Sequence, residues 1–342
     1  MSFFPDMSQK RLVPPAGSPS SRIAIVGDFV SQYDARSLRP FNGPDSGVLE
    51  QCLHGAGLIR GEVYLTNLFK EVMMPAQKQQ VYKIPGKQKQ GKLTEASQPY
   101  VAALRSELAK GSANVVVACG PAAYAALCGR GSISKHRGYV FSADLGSRRV
   151  KVIPTFHPLT TVRGGYINRH LMVEDFKKAK YEGGFAELKR PQRTLMWEYN
   201  GLPDVLQVLD AIAKAPAVAY DIEVLHYETS MISLANSPSM SIVIPFDDRW
   251  SVEEEGIIWR RVQKILGNPD TLKIAQNCIF DNQFMLTHDG IVIRGEVHDT
   301  MIGHSCMYPD FQKGLGFLGS LYCGSQAFWK DSVKFNDVKG DS

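Results

Sequence analysis

Ala217-Val218-Ala219-Tyr220-Asp221-Ile222-Glu223-Val224 is an apolar run carrying two carboxylates at alternate positions. Residues two apart in a strand share a face, so Asp221 and Glu223 stand side by side on an element whose other residues belong in a core. Like charges placed that way repel and resist desolvation unless cations neutralise them. A carboxylate pair bridging two divalent metals is one solution, the one used by phosphoryl-transfer nucleases. The alternative is a solvated edge strand with a polar face. The rest of the chain has to decide between them.

A helix is expected before this stretch, at about 202–214. Behind it, Met231-Ile232-Ser233-Leu234-Ala235 and Ser241-Ile242-Val243-Ile244-Pro245 read as antiparallel strands joined by Asn236-Ser237-Pro238-Ser239. A helix at 253–266, a strand at 272–275 and the segment Gln276-Asn277-Cys278-Ile279-Phe280-Asp281 follow. Asp221-x-Glu223, three strands, a helix and Asn277-x-x-x-Asp281 together resemble the first two motifs of the DnaQ-like 3′–5′ exonuclease domain. His298-Asp299-Thr300-Met301 and Lys313-Gly314-Leu315-Gly316-Phe317-Leu318 are similar to the proofreading region of family A DNA polymerases, and the resemblance covers about 196–331. It implies an RNase H-like mixed sheet and a two-metal site for Mg2+ or Mn2+. Asp221 and Glu223 would hold both ions, Asp281 one of them, and Asn277 would position substrate or Asp281. Asp299 corresponds to an Asp that is structural in polymerase relatives. The family's third motif, Tyr-x-x-x-Asp or His-x-x-x-x-Asp, has no counterpart: Tyr308 and Tyr322 are each followed by Gln at the fourth position, and Ala327 stands four before Asp331. The exonuclease is therefore expected to be cut short, with Asp331, Asp337, Asp341 or a partner chain left to supply the acid.

The 342 residues suffice for two domains, with 44% hydrophobic and 21% charged residues as in ordinary globular proteins. No apolar run approaches a membrane span, and residues 1–21 lack the apolar centre of a signal peptide. They read as a disordered tail, and the protein as cytoplasmic, in a host cell if phage-encoded. Six scattered cysteines without a Cys-x-x-Cys pair argue for free thiols and against a zinc or iron–sulfur site. Residues 1–190 hold 27 Lys and Arg against 14 Asp and Glu, whereas 191–342 hold 12 against 20. The basic part suits a polyanion and the acidic part a metal-carboxylate centre.

In the first part, Ile23-Ala24-Ile25-Val26-Gly27-Asp28 reads as a buried parallel strand ending in a carboxylate, where open α/β sheets place their ligands. Further strands are expected at 62–67, 114–120 and 149–154, with helices between them. Residues 75–92, rich in Gln, Lys and Gly, read as a mobile basic loop. Alternating strands and helices make a three-layer parallel α/β domain. Gly27-Asp28, Pro40-Phe41-Asn42-Gly43, Thr66-Asn67, the Val-Ala-Cys-Gly-Pro-Ala-Ala turn at 117–123 and His157-Pro158-Leu159-Thr160-Thr161-Val162-Arg163-Gly164 resemble, in that order, the uracil-DNA glycosylase superfamily over about 22–180. The closest likeness is to its family 4 and phage-polymerase-associated members. The resemblance implies that Phe41 stacks on a flipped base, Asn67 reads its edge, Asp28 orients water, and His157 stabilises the departing anion. Two departures stand out. Phe29 and Val30 replace the family's small residues, and Glu71 stands where an iron–sulfur cysteine is expected.

The expected organisation is thus a tail at 1–21, a glycosylase-like domain at 22–182, a linker at 183–195 and a truncated exonuclease domain at 196–342. The expected role is that of a phage DNA replication or repair protein, the N-terminal part of a DNA polymerase without its polymerase domain. Its expected partners are DNA, as a single strand or primer end, and a separate polymerase chain. A fragment, one half of a split gene and an interrupted gene are the open origins; a non-catalytic assembly module and an active uracil-DNA glycosylase are the alternative functions.

Overall fold

A computed structural model describes residues 12–83, 91–189, 192–196 and 200–323. Asp331, Asp337 and Asp341 lie outside them. Residue contacts divide the chain into a first unit that ends at Arg190 and resumes at Gly316, and a second unit, Pro191–Leu315. The sequence reading extends the second domain to 342; by residue contacts, the described residues from Gly316 group with the first unit.

The first unit is built on strands β1 (Ile23–Phe29), β2 (Tyr64–Phe69), β3 (Tyr82–Lys83), β4 (Lys92–Leu93), β5 (Val115–Cys119), β6 (Phe141–Asp144) and β7 (Arg149–Thr155). Its main sheet has the order β2-β1-β5-β7-β6, parallel except for β6. All five residues of β5 are buried, as a central strand covered on both faces requires. One face packs under Leu104, Leu108, Tyr124 and Leu127, the other under Leu49, Leu53, Met172 and Phe176. Two expectations change here. Part of the stretch read as a disordered tail is anchored: Val13 is 2% exposed, its N–H donates to the Lys70 carbonyl, and Ala16 bridges Leu65. The stretch read as a mobile loop contains a helix, Pro75–Val81, and the β3–β4 pair, while residues 84–90 lie outside the described residues. Pro75 sits at the first helical position, where its missing N–H costs nothing.

The second unit contains β8 (Thr194–Met196), β9 (Ala217–Leu225), β10 (Glu228–Ser237), β11 (Met240–Pro245), β12 (Leu272–Ala275) and β13 (Val297–Asp299), in the order β13-β12-β9-β10-β11-β8. The β9-β10-β11 pairings are antiparallel, and β12 and β13 add in parallel. This is the mixed sheet of an RNase H-like fold. Helices Leu202–Ile212 and Val252–Leu266 supply Val205, Leu209, Ile258 and Val262 to its core. Along β9, Val218, Tyr220 and Ile222 are buried while Asp221 and Glu223 are exposed, the alternation of a half-covered strand. Among the described residues no helix is long and apolar enough to cross a membrane.

Candidate functional site

In the second unit Asp221 and Glu223 project from one face of β9, and Asp281 arrives from helix Cys278–Phe284. Asp281 is 7% exposed. Burial, the Asp221 charge and then Glu223 push its carboxyl up to about 6, offset in part by backbone hydrogen bonding at Asp281 and Ile222. The helix that bears Asp281 packs against β9, the strand of the two acids. The Asp221 carboxyl is also raised, by partial desolvation and by Glu223. Three carboxylates in one another's field form a negative centre that a cation would relieve.

The turn that aims Asp281 has its own scaffold. Asn277 caps the helix in the left-handed conformation (φ 59°), which asparagine tolerates better than most residues. Asp299 accepts the backbone N–H groups of Asn277 (3.1 Å), Cys278 (2.8 Å), Met301 (2.8 Å) and Ile302 (3.1 Å). Partial burial works to raise this carboxyl, yet the N–H donors hold it below its ordinary range. Asp299 therefore pins two helix starts at once. On the opposite face of β9 the Tyr220 hydroxyl donates to Asn282 Oδ1 (2.6 Å), fixing the rotation of the helix that bears Asp281.

In the first unit, Gly27 and Asn67 are cross-strand partners. A Cβ at Gly27 would strike the Asn67 amide and come within 2.8 Å of the Phe41 ring, so the absent side chain is what lets those groups meet. Phe41 stacks on His157 with centroids 5.7 Å apart and 25° between planes. Asn67 is 3% exposed, and among the described residues its Oδ1 has no hydrogen-bond partner. His157 Nδ1 accepts from the Leu159 N–H (3.2 Å), which leaves Nε2 to carry the proton of the neutral ring. Burial pulls the imidazole down to about 4, with Asp34 working against that and Arg163 adding to it. Asp28 accepts the Ala123 N–H (2.7 Å) at the start of helix Pro121–Cys128, and burial pushes its carboxyl up to about 7 despite the Ala123 and Ala122 donors. A Cβ at Gly120 would run into this carboxylate. Phe29 turns away to stack on Phe69 (4.5 Å), and Val30 is buried. Glu71 accepts from the Tyr100 hydroxyl (2.6 Å).

Sequence reasoning missed what holds Phe41, which has φ 53°, a costly conformation for an aromatic residue. Buried Asp34 accepts Asn42 N–H and Ser31 N–H (both 2.6 Å) and the Ser31 hydroxyl (2.8 Å). Arg60 Nη2 donates to the carbonyls of Pro40 (2.6 Å) and Phe41 (3.2 Å). Ser31-x-x-Asp34 is a capping-box pattern, and that signal was available in the sequence.

Comparison with known proteins also finds two parts, although the second match runs past the unit boundary at Gly316. Residues 14–177 match the family described as Uracil DNA glycosylase superfamily, and residues 203–337 match the one described as 3′-5′ exonuclease. Among solved structures the chain is similar to the Aedes aegypti Nibbler EXO domain, at 15% identity over 34% of this chain and 58% of that one, with a TM-score of 0.27. It is also similar to the EXD2 exonuclease domain soaked in Mn (16%; 33% and 58%; TM-score 0.26). A third is Escherichia coli RNase D, an exoribonuclease involved in structured RNA processing (16%; 42% and 36%; TM-score 0.31). This chain covers less than two thirds of the length of each of those three. Its first part thus matches the uracil-DNA glycosylase superfamily and its second part the 3′–5′ exonuclease family.

Proposed function

We propose that the second unit is a metal-dependent 3′–5′ exonuclease acting on single-stranded or primer-end DNA, in the proofreading role of a phage-type polymerase's N-terminal part. The observation that carries this reading is the packing of helix Cys278–Phe284 on β9, which brings buried Asp281 to the strand that bears Asp221 and Glu223. An all-carboxylate donor set suits hard cations such as Mg2+ or Mn2+. Among the described residues no three His, Cys, Asp or Glu side chains stand grouped to hold an ion. Convergence on one therefore calls on exposed Asp221 and Glu223 to turn toward buried Asp281. A bound ion would supply a polarised water and neutralise charge on the scissile phosphate. Asn277, exposed at the helix start, is placed to meet the substrate strand. A 5′-labelled single strand incubated with Mg2+ or Mn2+ is expected to shorten one nucleotide at a time from its 3′ end. No metal-stimulated shortening, alone or with a polymerase partner chain present, would remove the reading.

A second reading concerns the first unit and rests on the buried, unpartnered Asn67 Oδ1 beside the Phe41–His157 stack. An amide there can read the edge of an extrahelical base while Phe41 covers its face. Neutral His157 would direct Nε2–H to a departing uracil anion, and Asp28 would hold water. The protonation states set the pH profile. The raised Asp28 carboxyl keeps its proton up to about 7, so the ionised form grows as pH rises. Depressed His157 stays neutral down to about 4 and imposes no limit above that. Uracil release from a U-containing oligonucleotide is therefore expected to rise roughly tenfold per pH unit below about 7 and to level off above it. A profile that falls with pH contradicts these roles. DNA binding without release makes the unit a binding or assembly module.

A further inference from the structure

Helix Leu315–Tyr322 belongs to the first unit from Gly316 onward, although the 3′–5′ exonuclease match extends through it. Its seat is built from buried polar groups. The Tyr139 hydroxyl donates to the Gly316 carbonyl (2.5 Å). Lys178 Nζ donates to Ser320 O (2.8 Å) and Cys323 O (3.2 Å), carbonyls that a helix C-terminus leaves open, and also to Gly138 O (2.6 Å). Arg137 lies over the Phe317 ring at 5.5 Å, and its Nη1 reaches Ser320 Oγ at 3.3 Å. Gly138 has φ 74°, and a Cβ there would sit 2.6 Å from the Ser320 carbonyl oxygen, so the helix approaches as closely as glycine allows.

The same groups lead to the His157 loop. Arg137 holds Asp175 through Nη2–Oδ1 (2.5 Å) and Nε–Oδ2 (3.2 Å). Asp175 Oδ2 in turn accepts the hydroxyl of Thr155, two residues before His157 (2.6 Å). The Gly138 N–H donates to Pro154 O (3.0 Å), and the Gly120 N–H, beside Asp28, donates to Thr155 O (3.1 Å).

We propose that residues 316–323 are a latch: the surface formed by Arg137, Gly138, Tyr139 and Lys178 is a receptor for this segment of the same chain, and its occupation sets the loop carrying His157. The inference does not depend on what chemistry His157 performs. Charge-assisted bonds to Asp175 make Arg137 a rigid link, so losing Ser320 and Phe317 from one side frees it to shift against Thr155 on the other.

Amide hydrogen exchange on the full chain tests it without an activity assay. Ser320→Trp cannot enter the seat. Exchange is expected to rise about tenfold or more in 316–323 and also in 154–160, with β1 still protected. Faster exchange in the helix with 154–160 unchanged would overturn the proposal. Tyr139→Phe and Lys178→Met, which delete bonds to the helix and leave the Arg137–Asp175 pair intact, guard against gross unfolding by the larger substitution. Each must reproduce the paired rise, in smaller measure, and failure of either to do so also overturns it.

Discussion

Replacing Asp221 and Glu223 together by alanine is expected to lower metal-stimulated digestion of single-stranded DNA by about 10³-fold or more. Two-metal phosphoryl transfer draws its charge stabilisation from the ions, and these side chains are the ones proposed to hold them. Both are exposed on a strand whose core face is complete without them, so the double variant should fold. Removing a mutually repelling pair should even relieve strain in the metal-free protein. Asp281→Asn keeps the shape and is expected to show a similar loss. The pH dependence follows from the raised carboxyl of Asp281, held at about 6, and from raised Asp221. Protons compete with cations for both, so the metal concentration for half-maximal activity should climb as pH falls below about 6. Unchanged digestion by the double variant would mean that the nuclease resides elsewhere or in a contaminant.

The face carrying those acids was legible because a strand's period of two is written directly in Val218, Tyr220 and Ile222 against Asp221 and Glu223. The wholly apolar β5 was legible for the complementary reason, burial on both sides. What escaped lacks such a local signal. Strand β6 is four residues long, at the sheet edge and antiparallel, too short for periodicity to stand out. The path of Phe41 depends on Asp34 and Arg60, which act through backbone groups that the sequence does not display. Val13 and Ala16 are ordered by Lys70 and Leu65, about fifty residues away. Helix Leu315–Tyr322 falls within the 3′–5′ exonuclease match, yet its seat is assembled from residues 137–139 and 178, which its neighbours in sequence do not reveal. Order gained from distant partners leaves no trace in a sequence window.

The second large effect lies at the buried pair behind that seat. Arg137→Ala is expected to destabilise the first unit by about 3–5 kcal/mol, the usual cost of leaving a buried charge without its partner. The Arg137 and Asp175 side chains are 2% and 1% exposed, so water cannot replace the guanidinium, and the Thr155 hydroxyl remains bonded to Asp175 with the Lys178 charge nearby. With two units in the chain, a single melting temperature is not the quantity to follow. Exchange of the β5 amides, which opens only with its whole unit, isolates the effect and should accelerate by roughly two to four powers of ten. Exchange of the β9 amides, in the second unit, serves as the control and should be unchanged. Arg137→Met combined with Asp175→Leu should recover much of the loss, since no charge is then buried. Recovery should stay incomplete, because Thr155 and Ser320 still lose the groups that joined them. A cost below about 1 kcal/mol for Arg137→Ala would show that the pair is hydrated in solution and gives the seat none of its rigidity.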